Sequence, residues 1–235
     1  MYCFHIKVFA VTASFRIPES HTFQQSLPLP PPTTLTGLMG AAMGLSFESA
    51  VGFRESNGLR FGVVGTHRGV FKDLWKYRKI KSKAIITDVL LREYLTDLEM
   101  SLYIASESRL SVNQVRESFL SPCYALTAGN SDDLLKIINV GEIIDINEIP
   151  VADFQQTILP GNHVNNYSPL ADLENLPITE SIRAPQVYLL PTAFAFKGKE
   201  RRISCREHFT FVGSSVILEK PIPGIRINDE SVVLL

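Results

Sequence analysis

Hydrophobic and polar positions along this chain fall into a few clear periods. Residues 2–14, "YCFHIKVFAVTAS", alternate and are rich in β-branched and aromatic side chains, which predicts a strand. Residues 15–32 lose that alternation and end in Pro30, Pro31 and Pro32, which predicts an extended loop. From Leu35 the apolar positions Leu35, Leu38, Met39, Ala42 and Met43 keep the i, i+3, i+4, i+7, i+8 spacing of a helix. Thr33 or Thr34 is placed to cap that helix and Gly44 to stop it. The segments "LRFGVVGTHRG" (59–69) and "SKAIITDVLLREYL" (82–95) are strand-like, and the basic, aromatic stretch between them completes a predicted long hairpin. "EMSLYIAS" (99–106) predicts a further strand, and "SVNQVRESFL" (111–120) a helix opened by a capping box from Ser111 to Gln114. "NSDDLLKII" (130–138) predicts a short helix with Asp132 and Asp133 in its first turn.

This order predicts an α+β fold whose first 140 residues form a βαββαβ, ferredoxin-like domain of the kind RNA-recognition modules use. Residues 141–235 predict a small β-rich appendage of short, proline-punctuated strands, for example 186–190, 208–211 and 215–218. With 235 residues and 45% hydrophobic content the chain can bury a substantial core. Its longest apolar run, residues 35–47, is too short and glycine-rich to span a bilayer, and the N-terminus lacks a signal-peptide pattern, so a cytoplasmic protein with no membrane partner is expected. Cys3, Cys123 and Cys205 are far apart and lack histidines at ligand spacing, which predicts reduced, mostly buried thiols, with no metal and no cofactor.

Charge sharpens the picture because it is unevenly placed. Net charge is −1, yet residues 66–83 carry seven Lys or Arg against the single acid Asp73. Residues 130–180 carry nine acids opposed only by Lys136, and residues 197–206 form a second basic run with five positive charges and Glu200. Local basic patches on a near-neutral chain fit a nucleic-acid contact confined to one face. In the first patch Trp75 and Tyr77 stand among Lys76, Arg78, Lys79, Lys81 and Lys83, the mixture that holds unstacked nucleotides and phosphates. The loop residues Arg16, Ser20, His21, Thr22 and Gln24 add polar groups able to reach phosphates or bases. At the helix entrance, Thr33 and Thr34 set hydroxyls beside unpaired N–H groups, a phosphate seat, and Gly37, Gly40 and Gly44 leave a bare helix face for the sheet or another backbone. No G-x-x-x-x-G-K-[ST] motif is present, which argues against nucleoside-triphosphate chemistry, and no small-molecule substrate is expected.

The stretch "ASFRIPESHTFQQSLPLPPPTTLTGLMGAAMGLSFE" (13–48) resembles the N-terminal signature of CRISPR-associated protein family five, a RAMP subunit of type I Cascade surveillance complexes. "SPCYALTAGNSDDLLKI" (121–137) is similar to that family's later segment, with a Gly-x-Ser-Asp helix start, and the wording of residues 15–34 is most like type I-B members. The resemblance implies a RAMP-type ferredoxin-like domain with a hairpin thumb at about residues 66–83. It implies a non-catalytic subunit that grips the 5′ handle of the crRNA and caps the foot of the complex. It also implies contacts with the first backbone subunit and the large subunit, and through the latter an indirect link to target DNA. The expected RNA contacts are Arg16, Ser20, His21, Thr22, Gln24, Thr33, Thr34 and Gly37 around the loop and helix entrance, and Trp75, Lys76, Arg78, Lys79, Lys81 and Lys83 in the basic stretch. The alternative is metal-independent cutting of precursor crRNA, as in type I-C members, with His21 or His67 beside a lysine or tyrosine as proton-transfer groups. His5, His163 and His208 read as structural or surface residues.

Overall fold

The computed structural model describes residues 1–20, 23–81, 84–170, 183–198, 200–227 and 229–235. The alternating first segment is strand β1 (Tyr2–Ala13), followed by the short pairings β2 (Phe15–Arg16), β3 (Phe23–Gln24) and β4 (Ser26–Leu27). Helices α1 (Pro32–Met43) and α2 (Phe47–Ser56) lead to β5 (Arg60–Thr66), β6 (Gly69–Lys81), β7 (Ala84–Ser106) and helix α3 (Arg109–Leu120). The remainder is strand-rich: β8 (Lys136–Val140), β9 (Ile144–Asp145), β10 (Ile149–Phe154), β11 (Thr157–Pro160), β12 (Tyr167–Pro169), β13 (Gln186–Lys197), β14 (Glu200–Val212), β15 (Val216–Ile227) and β16 (Glu230–Val232).

One ten-stranded sheet runs β13-β14-β11-β5-β7-β1-β8, and a four-stranded sheet is built on β15 with β10, β12 and β16. Alternation along β1 explains why the large sheet is covered on both faces. Phe4, Ile6 and Val8 point to the helices, opposite Ile104, Leu102 and Met100 of β7. Cys3 points the other way and packs with Tyr103, Ala105, Ile225, Val232 and Leu234. Each large aliphatic side chain buried in this way contributes about 1.5–3 kcal/mol.

Several boundaries differ from the sequence expectation, each for a local reason. Helix α1 starts at Pro32 with Pro31 as its cap and no side-chain cap bond, so Thr33 and Thr34 lie inside the first turn. Proline's fixed φ suits that entry and its missing N–H costs nothing there. Gly44 caps the other end in the left-handed region, as expected. Gly40 serves the packing of α2 and not of the sheet: a Cβ there would lie 2.7 Å from that of Ala50. Helix α2, unanticipated, is opened by Ser46, whose hydroxyl accepts from the Ser49 N–H. Helix α3 is capped by Ser108 and not by Ser111, which sits in the first turn and donates to Asn57 Oδ1.

The expected helix at 130–138 does not form. Asp133 is buried and accepts hydrogen bonds from Thr12 Oγ1 at 2.6 Å and Asn130 Nδ2 at 3.2 Å, and the chain turns into β8. The Asn130 and Ser131 side chains bond Asp133 and Asp132, and backbone turn bonds such as Asp133 N–H to Asn130 O and Ala128 N–H to Asp133 O take the place of a helix start. The strands of the second half are also longer than their prolines imply: β13 and β14 have 12 and 13 residues and join the large sheet through β11. Of the thiols, Cys3 is buried and pushed up to about 12 by that burial, whereas Cys123 and Cys205 are exposed, contrary to the expectation of mostly buried cysteines. Cys205 is exposed because it stands on a projecting hairpin strand.

Candidate nucleic-acid interface

The basic stretch is not a loop between two strands but a strand itself, β6, paired with the first half of the 23-residue β7 from Gly69↔Thr96 to Lys81↔Ala84. Period-two alternation therefore sorts its side chains onto two faces. Phe71, Trp75 and Tyr77 share one face with Tyr94, Arg92 and Asp88 of β7. Lys72, Leu74, Lys76, Arg78 and Ile80 share the other, with Val89 and Ile85. On this second face Leu74 is 68% exposed and Ile80 81%, so cations and bare apolar groups alternate in solvent.

The first face is an ordered stack. Phe71 and Tyr94 lie parallel, centroids 5.2 Å apart, and Trp75 and Tyr77 do the same at 5.6 Å. The Arg92 guanidinium lies 3.8 Å from the Trp75 centroid and donates to the Tyr94 hydroxyl at 3.1 Å. In register Arg92 opposes Asp73 and Tyr77 opposes Asp88, so the two flank Trp75 along the strand. Trp75 is thus held between a cation and an aromatic ring, and Tyr77 is the outermost ring of the stack. The Tyr77 hydroxyl donates to Asp88 Oδ2 at 3.1 Å, a bond that, with some desolvation and the charge of Asp88, raises its pKa.

The polar loop meets the base of this hairpin. Phe23 and Gln24 pair in parallel with Leu91 and Arg92, and Lys72 Nζ sits 5.0 Å over the Phe23 ring. Gln24 is thereby brought next to the aromatic stack. Arg16 pairs with Ser26 and is exposed, while the Ser20 hydroxyl turns back to Gln25 Oε1 at 3.4 Å. His21, Thr22 and Lys83 lie outside the described residues, and Lys79 and Lys81 lie on β6. Thr33 and Thr34 are half-buried in the first turn of α1, and the Thr34 N–H is already donated to the Pro31 carbonyl at 2.9 Å. Gly37 is set against Phe47, which a Cβ would approach to 3.8 Å.

Arg92, Phe71, Tyr94 and Phe23 were not among the residues expected at the site. Alternation along residues 69–77 carries the signal for Phe71, but Arg92 and Tyr94 enter only through strand register. His67 is buried with both ring nitrogens occupied: Nδ1–H donates to the Gly69 carbonyl at 3.0 Å and Nε2 accepts from Arg183 Nη1 at 2.8 Å. Burial first and the Arg183 charge second hold its pKa below the ordinary value.

A family model described as CRISPR-associated protein (Cas_Cas5) matches residues 3–160. No curated protein matches the chain. Among solved structures, one titled "CRISPR RNA-guided surveillance complex" aligns at 13% identity and a TM-score of 0.57, covering 94% of this chain and 91% of that one. "Crystal structure of a CRISPR protein from Archaeoglobus fulgidus" aligns at 11% identity and a TM-score of 0.52, covering 99% of this chain and 98% of that one. At these identities both likenesses concern the fold.

Proposed function

Because this chain belongs to the family of CRISPR-associated proteins matched over residues 3–160, we propose that it is a non-catalytic RNA-binding subunit of a type I Cascade complex, most like type I-B, working in antiviral defence in the cytoplasm. In this reading it holds the 5′ handle of the crRNA, caps the foot of the complex and contacts the backbone and large subunits. Target DNA is reached indirectly. The observation that carries the reading is the two-faced β6–β7 hairpin, with a stacked aromatic face and a face where Lys72, Lys76 and Arg78 alternate with exposed aliphatic side chains. Stacked rings and cations suit splayed nucleotides, and exposed aliphatic groups suit a protein neighbour.

A ferredoxin-like assignment for residues 1–140 is supported by the antiparallel order β5-β7-β1-β8 of strands connected as βαββαβ, with residues 141–235 as the β-rich remainder. Binding without cutting is supported by His67, whose two nitrogens are already engaged. No described helix is long and apolar enough to cross a membrane. Arg16, Ser20, His21, Thr22, Gln24, Thr33, Thr34 and Gly37 remain proposed RNA contacts beside Trp75, Lys76, Arg78, Lys79, Lys81 and Lys83.

The test is a salt titration of binding to labelled 5′-handle RNA. Replacing Lys76, Arg78, Lys79 and Lys81 together by Ala should weaken binding and flatten the dependence of log K on log salt by about 2–3, at about 0.7 per phosphate contact on a single strand. Affinity and slope equal to wild type would rule the reading out.

A further inference from the structure

The second basic run is a hairpin too, and nothing in the proposed handle contact uses it. Strands β13 and β14 pair from Gln186↔Phe211 to Lys197↔Glu200, and the stretch near the turn carries Lys197, Arg201 and Arg202. One face of this hairpin is built around an arginine. The Arg201 guanidinium lies 4.8 Å from the Phe47 centroid and 4.9 Å from that of Phe194. Phe47 and Phe194 meet edge to face at 5.5 Å, and Phe196 completes the group at 6.3 Å from Phe47. The three rings are partly buried, and Arg201 is exposed above them.

We infer that Arg201 and its Phe47–Phe194–Phe196 platform form a second contact for single-stranded nucleic acid, separate from the β6–β7 hairpin. Three features select that occupant. The neighbouring charges are already spoken for, since Arg202 bonds Glu200 at 3.1 Å and Arg206 bonds Glu19, whereas Arg201 is stacked on rings and pairs with no carboxylate among the described residues. A guanidinium fixed on aromatic rings is pre-organised for phosphate oxygens, and its own outer plane is a stacking surface for a base. The Arg206–Glu19 pair also ties β14 to the 15–27 loop, whose Gln24 pairs with Arg92 of the first hairpin, so that loop links the two basic hairpins.

The inference rests on the RNA-binding reading and is tested so that the two can fail separately. Wild type, Arg201→Ala, Arg201→Lys and the four-site β6 variant are titrated with labelled 5′-handle RNA by fluorescence anisotropy across salt, with melting curves to verify folding. Arg201→Ala should bind about tenfold more weakly with a salt slope shallower by about 0.7, and Arg201→Lys should recover the slope but not the full affinity. Ultraviolet cross-linking of the wild type should place RNA adducts on the peptide containing Phe194 and Phe196, a readout independent of any variant's folding. Wild-type behaviour of Arg201→Ala, with weakening confined to the β6 variant, overturns the second contact and leaves the proposed function standing. Retained RNA affinity with loss of a co-purifying protein marks the platform as a protein-facing surface and overturns it as well. Absence of RNA binding by the wild type removes both.

Discussion

Arg92 covers one face of Trp75 at 3.8 Å while its Nε is buried with no hydrogen-bond partner among the described residues. A buried N–H without an acceptor is costly, so the ring and the Tyr94 hydroxyl must hold the guanidinium in place. This pairing makes the aromatic face of the hairpin a preformed structure, ordered before any ligand arrives.

Trp75 is the single tryptophan of the chain, so its fluorescence reports on that pairing directly. Arg92→Ala should shift its emission to the red and increase acrylamide quenching, with a local loss of about 0.5–2 kcal/mol and little change in global stability. Emission and quenching identical to wild type would mean that the stack does not exist in solution.

Gly129 stands at φ 113°, and a Cβ on it would fall 1.9 Å from the Ser14 carbonyl oxygen. The Ser14 N–H also donates to Ala128 O at 2.9 Å, so the two backbones cannot separate without breaking that bond. Gly129→Ala should destabilise the fold by about 3 kcal/mol or more, read as a lower urea midpoint with an unchanged slope. A midpoint within error of wild type would contradict this close approach.

Asp133 is only 1% exposed and takes the Thr12 hydroxyl at 2.6 Å. Asp133→Ala removes the acceptor for Thr12 and Asn130 together and should cost about 2–3 kcal/mol. A double-mutant cycle with Thr12→Val should return a coupling of about 1 kcal/mol; full additivity would show that the two side chains act independently.

His67 gives the chain a pH-dependent stability whose sign follows from its burial. Its folded-state pKa lies below the ordinary 6.5, so the unfolded chain binds a proton that the folded chain resists. The contribution is present above about pH 6.5 and is lost as pH falls below it. Wild type should weaken between about pH 7 and about pH 5 in urea denaturation, and His67→Gln should flatten that part of the profile. An equal decline in both proteins would remove His67 as the cause.

Much of this protein was settled by the chain itself. Alternation in residues 2–14, helical spacing from Leu35 and the left-handed stop at Gly44 depend on side chains near in sequence, and they appear where the pattern places them. The charge count marked residues 66–83 as an exposed basic element, because charge in water needs no tertiary partner to be read. What the chain left open required distant residues. Asp133 reads as a helix start until Thr12, far away in sequence, binds its carboxylate and the segment turns into β8. The basic stretch became a strand because β7 supplied its hydrogen-bonding partner, and that register alone put Arg92 on Trp75. Arg201 likewise reads as one more surface charge until folding brings Phe47 of α2 and Phe194 of β13 beneath it. Local patterns determine elements because their interactions span a few residues. Pairing between strands, and the aromatic and cationic contacts it creates, is decided by tertiary structure because its partners lie tens of residues apart.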